Sequence, residues 1–106
     1  MYARRVSMNL KPNCVPEFTQ TLEKQVIPAL RKQKGFQDEI TFVGSNGTKV
    51  VAISLWDNAE SATAYNTASY SEVVKMLSKV VEGTPNVETY EVANSTFHKI
   101  HAPAHA

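Results

Sequence analysis

Val50-Val51-Ala52-Ile53-Ser54-Leu55-Trp56 is the stretch on which the fold turns. Successive side chains of a strand point to opposite faces, so Val51, Ile53 and Leu55 share one face while Val50, Ala52 and Trp56 share the other. Both faces are apolar, which predicts a central strand covered on both sides. Working back, Gly44-Ser45-Asn46-Gly47 is a turn, and Phe36, Asp38, Ile40 and Phe42 share one parity over residues 36–43, so the two runs form a hairpin. Nearer the start, Val6, Met8 and Leu10 alternate with Arg5, Ser7 and Asn9, the pattern of a strand over residues 2–10.

Between these strands Phe18, Leu22, Val26 and Leu30 fall four apart on one stripe, predicting a helix from Pro16 to about Lys34 with Gly35 as its left-handed cap. Pro28 lies inside it. A proline there has no N–H for the carbonyl of Lys24, so a kink is expected. After Trp56, Asp57 with Glu60 has the spacing of a capping box and opens a short helix over 59–66. Ser69 with Glu72 is a second box, opening a helix with the stripe Val73, Leu77 and Val80 or Val81, ended by Gly83 and Pro85. Loose alternation over 87–97 predicts the last strand.

The order strand, helix, strand, strand, helix, strand is the α+β split β-α-β arrangement: a ferredoxin-like antiparallel sheet with both helices on one face. The expected layout puts the first and third strands in the middle, with each crossover joining parallel neighbours. Two helices cover one face only, so the apolar second face calls for another cover. A symmetric copy is the economical one, predicting a homodimer packed sheet to sheet.

A chain of 106 residues is one domain's worth, read as a domain over 1–100 and a flexible tail over 101–106. Eleven Lys and Arg against ten Asp and Glu give a net charge of +1, which argues against nucleic acid or anionic membrane as partners. The single cysteine, Cys14, closes no disulfide within the chain, and Met1-Tyr2-Ala3-Arg4-Arg5 lacks the apolar stretch of a signal peptide. A cytoplasmic location is expected.

The run Val26-Ile27-Pro28-Ala29-Leu30-Arg31-Lys32-Gln33-Lys34-Gly35-Phe36, followed by a hairpin and then Ile53-Ser54-Leu55-Trp56-Asp57-Asn58-Ala59-Glu60-Ser61, resembles the antibiotic biosynthesis monooxygenase domain over roughly residues 2–97. The resemblance implies a dimeric α/β barrel of the ferredoxin-like group. It also implies activities ranging from cofactor-independent oxidation of aromatic polyketides or quinols to haem degradation, with no cofactor needed for the first. Haem-cleaving members carry a histidine on the helix after the third strand and an asparagine in the first strand. The helix over 69–82 has no histidine, although Asn9 is available, so haem cleavage is disfavoured.

By position Trp56 matches the family's tryptophan, and its indole N–H can donate to a quinone or phenolate oxygen; as a large core aromatic it can equally be structural. Tyr65, Asn66 and Tyr70 lie where the second helical segment breaks, at the mouth of a cleft between helices and sheet. Asp38 shares its face with apolar neighbours, where it either reaches water or serves as a base. His98, His101 and His105 permit metal binding by spacing alone, but His98 and His101 face opposite ways in an extended segment, so no metal site is expected. These residues suit a small hydrophobic or aromatic ligand. A substrate for cofactor-free oxygenation and a ligand of a non-catalytic binding protein both fit them.

Overall fold

The computed structural model describes residues 1–100; the expected tail over 101–106, with His101 and His105, lies outside the described residues. Strand β1 (Tyr2–Leu10) leads into α1 (Val15–Thr21), a π-helical turn (Leu22–Val26) and α2 (Ile27–Arg31). The hairpin β2 (Phe36–Val43) and β3 (Lys49–Trp56) follows, then α3 (Ala59–Ala68), α4 (Tyr70–Leu77) and β4 (Val81–Glu91).

Sheet order is β2-β3-β1-β4, with β1 and β3 central as expected and every neighbouring pair antiparallel. The expected parallel neighbours are therefore corrected. Each crossover steps over a strand, so β1 and β2 flank β3, and β3 and β4 flank β1. Val6, Met8 and Leu10 from β1, with Val50 and Trp56 from β3, pack against Phe18, Leu22, Val26, Leu30, Val73 and Leu77 from the helices. That is the predicted stripe, buried on one face of the sheet.

Pro28 takes effect through the turn before it. The N–H of Ile27 donates to the carbonyl of Leu22, five residues back, so the expected kink is a π-bulge that carries the chain past the missing proline N–H. Pro28 then sits in the first turn of α2, where no partner is needed. Two caps also differ from expectation. Asn58, not Asp57, caps α3, its side chain accepting the N–H of Ser61 at 2.8 Å. Ser69 precedes α4 without a capping bond, its hydroxyl turned instead to Gln33.

The last strand needs the largest correction. It begins at Val81, so Gly83 and Pro85, read as helix terminators, lie inside it. The register jumps from Asn9 opposite Glu82 to Ser7 opposite Asn86, a bulge that Gly83 accommodates with φ of 75°. Because β4 is an edge strand, Pro85 interrupts no inner ladder. The strand ends at Glu91, and the chain beyond crosses the face away from the helices, since His98 meets Asp38 on the opposite edge strand.

Candidate functional site

Register alone assembles the site. Glu39 of β2 lies opposite Ser54 of β3, and Ser54 lies opposite Arg4 of β1, so three polar residues form one row across the helix-covered face. With neighbouring strands about 4.8 Å apart, the backbones of Glu39 and Arg4 are about 10 Å apart, with Ser54 between them. Over this row sits a cavity of about 170 Å³. Val6, Met8, Leu22, Val26, Leu30, Val73 and Leu77 give it apolar walls, and Arg4, Glu39, Ser54, Tyr65 and Tyr70 enter it from the sheet and from α3 and α4.

Arg4 is the unusual member, a guanidinium 3% exposed beneath a helix layer. Its Nη2 donates to Asn66 Oδ1 at 2.9 Å, and its guanidinium carbon lies 5.0 Å from the ring centre of Tyr65 and 4.5 Å from that of Tyr70. Ring faces are electron-rich and stabilise a desolvated cation. Among the described residues no carboxylate lies within ion-pair distance of Arg4. Burial lowers the guanidinium below its usual value while the two tyrosine hydroxyls raise it; an arginine stays charged through such a change. At the other end, burial raises the Glu39 carboxyl above the usual range, and the hydroxyl of Thr41, donating to it, draws it part of the way back.

Tyr65 links this row to the core. It stacks on Trp56 with ring centres 5.0 Å apart and planes at 27°, and burial pushes its hydroxyl up from 10.0 to about 12 against the pull of Arg4. Its folded value lies above the unfolded one, so its contribution to stability is whole below pH 10 and is lost as pH rises through about 12. Denaturation by urea at a series of alkaline pH values is expected to show the stability advantage of the native chain over Tyr65→Phe shrinking by about 2 kcal/mol across that interval. A difference that stays constant with pH would sink this expectation.

Of the residues singled out in the sequence, Tyr65 and Tyr70 line the cavity. Asn66 is exposed and acts on it through Arg4. Trp56 does not line it: the ring is 0% exposed and its N–H donates to Ser54 Oγ at 2.9 Å, which makes it a core aromatic holding the middle of the polar row. Asn9 is exposed on the opposite face of β1. Asp38 is also displaced from the cavity. A register shift between Phe36 and Asp38 puts Phe36 on the helix side against Trp56, at 5.6 Å, and turns Asp38 outward to His98. Glu39 next to it is the inward carboxyl. Arg4 and Glu39 were both missed, although Arg4 shares its parity with Val6, Met8 and Leu10.

No protein-family model and no curated protein matches the sequence. Solved structures do match, and they give the class: the fold is that of the antibiotic biosynthesis monooxygenase-type proteins, ferredoxin-like and α+β. The monooxygenase from the ActVA-Orf6 gene of Streptomyces coelicolor, solved with the ligand nanaomycin D, superposes with a TM-score of 0.75 at 16% identity over 92% of each chain. An antibiotic biosynthesis monooxygenase-type protein of Bordetella bronchiseptica gives 0.74 at 13% identity, covering 86% of this chain and 95% of its own. SnoaB, a cofactor-independent oxygenase from Streptomyces nogalater, gives 0.71 at 11% identity over 90% and 96%. At such identities the likeness fixes the fold, and the site has to be argued from its own residues. Among the described residues, no helix is long and apolar enough to cross a membrane.

Proposed function

We propose that this protein binds a small quinol-type or polyketide-type aromatic molecule in the cavity between helices and sheet and oxidises it with molecular oxygen, without a cofactor. The working form is a homodimer closed through the uncovered sheet face. The observation that carries this reading is the pairing of a half-buried carboxyl, Glu39, with a buried cation, Arg4, at two ends of one apolar cavity. The carboxyl is raised toward the range where it takes a proton from an acidic C–H or O–H, and the guanidinium at the other end is placed to balance the negative charge of the bound anion. The anion passes one electron to oxygen, and the radical pair joins as a peroxide on carbon. Loss of water then leaves a carbonyl, with one oxygen atom in the product and the other in water. The fold is shared with a monooxygenase solved with the ligand nanaomycin D, and the apolar walls of the cavity suit an aromatic ring.

Oxygen uptake with a panel of hydroquinones and anthrones tests this reading. Turnover is expected for at least one compound, with kcat falling about 100-fold in Glu39→Gln, the size of a lost general base. No uptake across the panel rejects catalysis and leaves a ligand-binding protein on the same fold, a reading favoured by a cavity whose lining includes no histidine among the described residues.

A further inference from the structure

We infer that the ligand of this cavity is an aryl carboxylate, a monoanion whose carboxylate lies in the plane of the Arg4 guanidinium and whose ring carries a hydroxyl directed toward Glu39. The inference rests on the cavity being the ligand site and narrows what that site accepts. Three features carry it.

The first is an unanswered charge. Burying a cation without a counterion is expensive, and here the described residues supply ring faces, tyrosine hydroxyls and one amide oxygen but no carboxylate. Arg4 lines the open cavity, where a ligand can answer its charge. The second is shape. The guanidinium has two in-plane edges, Nε with Nη2 and Nη1 with Nη2; Asn66 takes one of the two N–H groups of Nη2, which leaves the other to complete one edge, while Tyr65 and Tyr70 lie over the guanidinium carbon. Two parallel N–H groups match the two oxygens of a carboxylate better than a lone phenolate oxygen. The third is the size and polarity of the remainder. About 170 Å³ with apolar walls holds one substituted ring. One cation answers one negative charge, and Glu39 at the far end repels a second while offering a hydrogen bond to a hydroxyl.

Calorimetric titration of the full chain with 4-hydroxybenzoate and its neutral isostere 4-hydroxybenzamide tests the inference, with NMR of the arginine side-chain Nε–H and the fluorescence of the single tryptophan as site reporters. The carboxylate is expected to bind at least about 10-fold more tightly than the amide, with a shift of the Arg4 resonance, and the ratio is expected to fall below about 2 in Arg4→Met. Arg4→Lys, which keeps the charge and loses the fork, is expected to fall between them, and serves if the methionine variant fails to fold. Equal binding of acid and amide, binding of neither, or a preference that survives Arg4→Met overturns the inference. No oxygen enters this experiment. Anion selectivity without oxygen uptake removes catalysis and leaves the site, whereas uptake without anion selectivity removes only the present inference.

Discussion

Gly35→Ala is expected to lower stability by about 3 kcal/mol and the thermal midpoint by about 15 °C. Gly35 has φ of 82°, a conformation that a side chain makes unfavourable by about 1 kcal/mol. Space adds to this. A β-carbon at this position falls 2.2 Å from Asp57 Oδ1, 2.3 Å from Ser61 Oγ and 2.6 Å from Ser61 Cβ, all far inside contact distance. Asp57 is exposed and can swing its carboxylate into water, but the β-carbon of Ser61 is fixed to the first turn of α3 and cannot. The carbonyl of Gly35 also accepts the N–H of Asp57 at 2.8 Å, which ties the entry of β2 to the exit of β3. That tie sets Phe36 edge-on to Trp56, Trp56 against Tyr65, and Tyr65 under Arg4. Adding Ser61→Gly to Gly35→Ala is expected to recover about half of the loss, leaving the cost of the positive φ. Urea denaturation of the two variants checks this, and a loss under about 1 kcal/mol for the single change would mean that the two turns do not meet so closely.

Gly35 and the strands β1, β2 and β3 were legible because each is written in local chemistry: a left-handed cap after a cationic helix end, and alternation that follows the pleat. What escaped was set by contacts distant in sequence. Gly83 and Pro85 carry the local signature of a helix end, and only pairing with β1 makes them a bulge in an edge strand. Phe36 misled the reading of β2 in the same way. Its ring belongs to the core at Trp56, and the irregularity before Asp38 reverses the parity, so Asp38, Ile40 and Phe42 face outward and Glu39 and Thr41 face the cavity. Arg4 was the readable omission. It follows Tyr2 and precedes Val6 on the buried parity, and an arginine in such a series marks either a register error or a site.

That reversal in β2 leads to the second large effect, in the assembly. A strand with one face on a core normally turns its apolar side chains inward, but here the inward positions are Glu39 and Thr41 while Ile40 and Phe42 are 50% and 52% exposed. With Val51 and Ile53 of β3 they make an apolar field on the open sheet face. The segment after Glu91 reaches Asp38 through His98, and Ile40 and Phe42 stay half-exposed. A two-fold copy placing field on field removes both from water, and the native protein is expected to sediment at twice the 11.7 kDa of one chain. In an isologous contact each substitution occurs twice, so Ile40→Arg with Phe42→Arg brings four cations together at one desolvated centre and is expected to raise Kd by more than about 100-fold, giving the mass of a single chain at micromolar concentration. Both side chains are already exposed within one chain, so folding and the Trp56 environment should not change. A native protein of single-chain mass, or a variant that stays dimeric, sinks the sheet-to-sheet contact. The cavity is lined by residues of one chain, so the monomeric variant should keep its Arg4-dependent preference for the carboxylate; losing that preference on dissociation would mean that the partner completes the site.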